Sequence, residues 1–168
     1  MCKLIGRMIP PERHAEYARG YLALGLLAES SEELEKIAKD ARRLPAVLAA
    51  RIELHTQEKK WARVITAAKE LAHQCPTSET GWIGWAYALR ELNRITEAFE
   101  VLSEAEKHRR PSSALVHYNL GCYLCLLGDH RKALARLKQA FQLEPDFKAE
   151  SLQDKDLTPL WPEIRVLS

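Results

Sequence analysis

The sequence predicts an all-α solenoid of about four helix-turn-helix hairpins closed by a C-terminal capping helix, and three observations predict it. Segments starting at Pro11, Pro45, Glu79 and Ala114 lie 34, 34 and 35 residues apart and carry similar residues at the same offsets. Small and apolar residues within them recur three and four apart, as Ala98, Leu102 and Ala105 do, which places them on one helical face. Gly25, Asn93 and Gly128 stand where a helix ends in a left-handed residue. Such a hairpin has an apolar face it cannot bury alone, so neighbours stack into a continuous core.

The first segment carries Tyr17, Ala18, Tyr21, Leu24 and Gly25 on its first helix (A), then Ser30, Leu34 and Ile37 on its second (B). The second has Leu48, Ile52 and His55, then Val64, Ala68, Leu71 and Pro76. The third has Trp82, Trp85, Ala86, Leu89, Leu92 and Asn93, then Ala98, Leu102, Ala105 and Pro111. The fourth has His117, Leu120, Gly121, Leu124, Leu127 and Gly128, then Ala133, Leu137, Ala140 and Pro145. Ala18, Ala86 and Gly121 let neighbouring helices approach, while Tyr21, Leu89 and Leu124 fill the space beside them. The chain thus divides into a lead (1–10), a repeat region (11–145, as units 11–44, 45–78, 79–113 and 114–145) and a tail (146–168). In the tail, Phe147 to Leu152 predicts a further helix, and Thr158 reads as an N-cap with Pro159 in the first turn. Phe147, Leu152, Leu157, Leu160 and Trp161 are expected to cover the last apolar face.

This pattern resembles the tetratricopeptide repeat. In that family helix A carries a large residue, then Leu, then Gly or Ala, then an aromatic, and helix B carries Ala, a large apolar residue, Ala and Pro. The resemblance covers roughly residues 11–145; the second segment departs at Arg51, where Leu is usual, and the first lacks the closing proline at its usual offset. It implies a right-handed superhelix and a non-catalytic scaffold binding a protein or peptide in the concave groove of the A helices. Carried over by offset, the groove receives Ala15, Arg19 and Leu22, then Ala49 and Glu53, then Ile83, Tyr87 and Arg90, then Tyr118, Asn119, Cys122 and Cys125. A peptide anchored between Tyr87 and Tyr118 and steered by Arg19 and Arg90 suits these residues; an ion-pair row of Arg19, Glu53 and Arg90 is the plainer alternative. The family's clamp for a C-terminal carboxylate is not formed, since Thr80, Gly84 and Leu115 stand at its positions. A chaperone for secreted substrates is an alternative, because such proteins are similar in size and repeat number. The tail motif Asp-x-Asp-Leu-x-Pro-Leu also resembles tails of bacterial members.

Composition bounds the partners. At 168 residues, 46% hydrophobic and 29% charged, the chain can bury a core without staples. A formal charge of +2 is too small for a nucleic-acid surface. The basic runs at 41–43 and 107–110 fall where helices are expected to end, and cations there complement the helix dipole. No stretch reads as a signal or membrane span, so a cytoplasmic protein is expected, with a protein partner that could include a second copy of itself. Phosphate loops, His-Glu-x-x-His pairs and serine elbows are lacking, so no enzyme and no cofactor is expected.

Cys2, Cys75, Cys122 and Cys125 are too few for a disulfide framework. Cys122 and Cys125 raise the alternative of a thiol or metal sensor, but they sit in mid-helix, away from the N-terminal position that activates a thiol. By 100° per residue they share a stripe with Tyr118, opposite the core positions. A helix apolar on every side requires something to cover that stripe: the tail, a second subunit or a ligand.

Overall fold

A computed structural model describes residues 9–108 and 113–167. Cys2 and the run Arg109 to Pro111 lie outside the described residues. Four helical hairpins follow one another: α1 (Pro11–Ala23) with α2 (Leu27–Glu35), α3 (Pro45–Gln57) with α4 (Trp61–Gln74), α5 (Glu79–Glu91) with α6 (Ile95–His108), and α7 (Ala114–Leu126) with α8 (His130–Leu143). The tail adds α9 (Asp146–Ser151), a 3₁₀ segment (Lys155–Leu160) and α10 (Trp161–Val166). There is no strand among the described residues.

Each A helix ends in the same way. Gly25, Lys59, Asn93 and Gly128 have φ of 73°, 55°, 58° and 83° and recur at the 34-, 34- and 35-residue spacing of the repeat. The residue after each donates its N–H back to the carbonyl five residues earlier: Leu26 to Tyr21, Lys60 to His55, Arg94 to Leu89 and Asp129 to Leu124, at 2.8 to 2.9 Å. This closure satisfies orphan carbonyls and turns the chain sharply into the B helix. Glycine takes the left-handed conformation freely and asparagine tolerates it, whereas Lys59 adopts it against the clash of its Cβ. The second hairpin therefore hides its turn from a search for Gly or Asn.

Close packing uses the small residues. Ala18, Ala86, Ala98, Leu102, Ala133, Leu137 and Ala140 are fully buried. A Cβ on Gly121 would lie 2.8 Å from Leu137 Cγ, and one on Gly81 only 2.5 Å from the Ala72 backbone nitrogen. At Gly81 the obstruction is main chain, so α5 approaches α4 as closely as two helices can. Tyr17 departs from expectation: it is 47% exposed, because no described helix precedes α1 to cover that side.

The first B helix is also unusual. α2 has 9 residues where α4, α6 and α8 have 14 each. Arg42 lies beyond its end, outside the helix, and donates to the carbonyls of Ile37 (3.0 Å) and Glu35 (3.1 Å). Arg51, at the position where the family usually has Leu, reaches the Glu35 carboxylate at 3.3 Å. The early stop of α2 thus accounts for the polar residue: Arg51 faces helix-end carbonyls and a carboxylate in place of an apolar helix side.

In the tail, α9 forms as expected, but Thr158 does not cap a helix. It lies inside the 3₁₀ segment, its hydroxyl donating to Lys155 O at 2.8 Å. Asp154 is the capping residue, accepting from Asp156 N–H at 2.9 Å, and Pro162 rather than Pro159 opens α10.

Two substitutions test the geometry. Gly81→Ala is expected to cost about 1–3 kcal/mol by forcing two backbones apart. Lys59→Gly should stabilise by about 1 kcal/mol by relieving the left-handed strain. Urea unfolding of both variants against wild type checks the pair, and a neutral Gly81→Ala would contradict the close approach.

Candidate functional site

The residues assigned by offset to the A-helix groove meet three different fates. At the N-terminal end Ala15 and Leu22 are buried in the cluster that also holds Leu34, Val47 and Leu54, so they are core, not groove lining. Arg19 and Glu53 form an ion pair at 2.9 Å across α1 and α3, with Ala49 half-buried beside it. With the two side chains 58% and 36% exposed, that pair contributes little to stability.

At the C-terminal end the tail lies on the stripe. Tyr118 O–H donates to Asp154 Oδ2 at 3.0 Å, and the Cys122 thiol points at the same oxygen at 3.6 Å. Phe147 packs on Tyr118 with ring centroids 5.0 Å apart. Arg90 grips Asp156 with both arms of its guanidinium and also contacts Glu91. Its charge is therefore engaged by the chain itself, and Tyr118 anchors the tail; neither steers nor grips a peptide in this state. Leu157, Leu160 and Ile164 are fully buried beneath. Each such side chain is worth about 1.5–3 kcal/mol of burial, more than a half-buried ion pair supplies, so apolar burial holds the tail and the aspartates set its register. Asp154, Asp156 and Ile164 escaped the sequence reading. The Asp-x-Asp-Leu-x-Pro-Leu motif was their signal, and the structure gives it a meaning: its aspartates address α5 and α7 while its leucines fill the core.

This cover sets the chemistry of the cysteines. Burial first, then the Asp154 and Asp156 carboxylates, push the Cys122 thiol well above the ordinary 9.0. Cys125 is raised by burial and by the same carboxylates. Burial likewise raises Tyr118 and Tyr123. A reactive thiolate needs the reverse surroundings, electropositive and open. Among the described residues no group of three or more His, Cys, Asp or Glu side chains could hold a metal. His117 is held by the core instead: burial and the neighbouring Arg136, whose Nη1 lies 3.1 Å from His117 Nδ1, depress its pKa.

Between these ends the face is open. A cleft of about 480 Å³ runs between α3, α5 and α7, lined by Ile52, Thr56, Thr80, Ile83, Gly84, Tyr87 and Leu115 among others. Tyr87 and Leu115 are each 40% exposed. Tyr87 is braced edge-on by Trp61 at 5.9 Å, so it presents a fixed ring to the cleft. A Cβ on Gly84 would lie 2.9 Å from Ile52 Cγ2, so the missing side chain sets the floor where α3 and α5 meet. Asn119 lies beyond Tyr87, half-buried, beside a smaller cavity of about 240 Å³ bounded by Arg90, Asp154 and Asp156. Thr80, Gly84 and Leu115, the positions that fail to form a carboxylate clamp, thus lie on this face with Ile83 and Tyr87, whereas Ile52 and Thr56 were not assigned to it by offset. Among the tryptophans, Trp82 is buried with its N–H on Pro76 O at 3.0 Å, a packing role.

Stacked hairpins with an open face on their A helices define the class: a helical-repeat solenoid with a groove. The hairpins have the tetratricopeptide-repeat fold. The tetratricopeptide repeat family model matches residues 114–147, the fourth hairpin and the start of the tail. Among solved structures the chain is similar to TTC0263, a thermophilic tetratricopeptide-repeat protein of Thermus thermophilus, with a TM-score of 0.72, 21% identity, and coverage of 94% of this chain and 96% of that one. It is similar also to MamA (MSR-1), with a TM-score of 0.67, 22% identity, and coverage of 84% and 80%. At those identities the likeness is one of fold. In sequence it is 39% identical over 84 residues to protein FlbA of Caulobacter vibrioides, a match covering 48% of this chain and 14% of the length of FlbA. No helix among the described residues is long and apolar enough to cross a membrane.

The raised thiols and phenols give a pH dependence. Each holds its proton more tightly when folded than when unfolded, so the folded state binds more protons once the unfolded groups begin to ionise. Stability is therefore full below about pH 8.5 and falls as pH rises through roughly 9 to 11. Melting temperatures across that range should drop more steeply for wild type than for a Cys122→Ala, Cys125→Ala double variant; parallel curves would contradict the buried, protonated cysteines.

Proposed function

We propose that the protein is a non-catalytic scaffold of the cytoplasm that binds an extended or helical segment of a protein partner in the cleft between α3, α5 and α7. The observation that carries the reading is the cleft itself: an open, largely apolar trough on the A-helix face, with a braced tyrosine and two isoleucines in it. A rigid aromatic beside small residues is what a hot spot requires, since it offers large contact area at little entropic cost. Gly84 lets Ile52 of α3 close on α5 to form the apolar floor, and Thr56 and Thr80 offer hydroxyls to a partner's amides. The segment enters from the side of the Arg19–Glu53 pair and stops at the tail docked on α7 and Arg90.

Leu115→Glu and Tyr87→Ala, both at positions 40% exposed, should each weaken binding of the partner recovered with the wild-type chain by tenfold or more, with circular dichroism and melting largely unchanged. Tyr118→Ala should instead lower the melting temperature, because its hydroxyl and ring hold the tail. Unaltered binding by both cleft variants would overturn the assignment.

A further inference from the structure

A second cleft lies on another side of α3, away from the groove, where the early end of α2 leaves room between α3 and α4. It has a volume of about 320 Å³, and four arginines line it: Arg42, Arg43, Arg51 and Arg63, with His55 at the side. Four guanidinium groups meet two carboxylates. Glu35 pairs with Arg42 (2.8 Å) and Arg51 (3.3 Å), and Glu70 pairs with Arg43. Arg63 has no carboxylate partner among the described residues, so two positive charges are left over. Glu58, beside His55, is taken by His55 and Lys60 at 2.9 and 2.7 Å. In addition, Arg51 Nε is buried and has no hydrogen-bond partner.

Neither feature suits a cleft with no ligand. Gathering like charges in a partly enclosed space is unfavourable unless a counter-charge arrives, and a buried N–H without an acceptor costs as much as a lost hydrogen bond. The contacts of Arg51 to Leu34 O and the Glu35 carboxylate both use one Nη and leave the Nε unsatisfied. We propose that this cleft is an anion site for a phosphate monoester. That group carries between about one and a half and two negative charges near neutral pH, roughly the excess present. Its oxygens accept from several guanidinium forks at once, a geometry that arginine meets better than lysine. The volume holds the phosphate and the few atoms that carry it, whether a phosphorylated side chain of a protein or a small phosphorylated molecule. The site is separate from the A-helix groove and stands or falls independently of the partner-binding reading.

The test is titration of the full-length protein with inorganic phosphate, followed by melting temperature and calorimetry, against sodium chloride at matched ionic strength. A saturable rise in melting temperature with phosphate alone is expected. Arg63→Ala, which removes an exposed and unpaired side chain, should weaken that response at least tenfold, whereas Arg94→Ala, between α5 and α6 and paired with Glu97, should leave it unchanged. Arg51→Met, which removes the unsatisfied Nε–H along with the contacts to the end of α2, should abolish the response while the chain still melts cooperatively. A phosphoserine peptide binding more tightly than adenosine monophosphate assigns the site to a protein ligand, and the reverse order assigns it to a free small molecule. A phosphate response no larger than that of chloride, or one that survives Arg63→Ala and Arg51→Met alike, overturns the proposal.

Discussion

Among the described residues the fourth hairpin is followed by the tail and not by another hairpin, and the structure is organised around that constraint. Eight of the thirteen residues of α7 are buried, on every side of the helix. A stripe of Tyr118, Cys122 and Cys125 left in water would expose an apolar ridge along the last A helix. The tail removes it by folding back over α7, placing Leu157 and Leu160 in the core and fixing its path with Asp154 on Tyr118 and Asp156 on Arg90. The cap thus does more than close the end of the solenoid. It occupies part of the A-helix face, and so decides where the open cleft begins.

That arrangement changes what the A-helix face can do. Residues at one repeat offset have unequal roles along the chain: Leu22 is core, Thr56 lines the open cleft, Arg90 is bound to the tail, and Cys125 is buried. The position of a residue in the repeat says which way its side chain leaves the helix. What it meets depends on the neighbouring hairpins, and those differ at each end. Only the middle, between α3 and α7, is free of both effects, and the open cleft lies there.

Much of the fold was legible in the sequence because the repeat is written in small residues and turn chemistry. Gly25, Asn93 and Gly128 mark three of four turns, and Ala18, Ala86 and Gly121 mark the close contacts. Lys59 was not legible as a turn, because lysine takes the left-handed conformation only under the constraint of the flanking helices. The short α2 was foreshadowed by the missing proline and by Arg51, but its consequence, a cleft lined by arginines, depends on tertiary spacing. The cysteine stripe was recognisable as a surface needing cover. Which element covers it was not, since a tail, a second subunit and a ligand leave the same apolar pattern on α7. Aspartates at 154 and 156 gave no sign of their partners, which lie 36 and 66 residues away in the chain.

The tail seals the cysteine stripe, and thiol labelling measures this directly. In a Cys2→Ser, Cys75→Ser background only Cys122 and Cys125 react, so a maleimide reports the lifetime of the cover. An opening free energy of roughly 4 kcal/mol corresponds to labelling about a thousandfold slower than a free thiol. The account predicts protection of at least that order in the native protein, and faster labelling, before global unfolding, when Asp156→Ala or Leu160→Ala loosens the tail. Labelling at nearly the free-thiol rate in a cooperatively folded protein would contradict it.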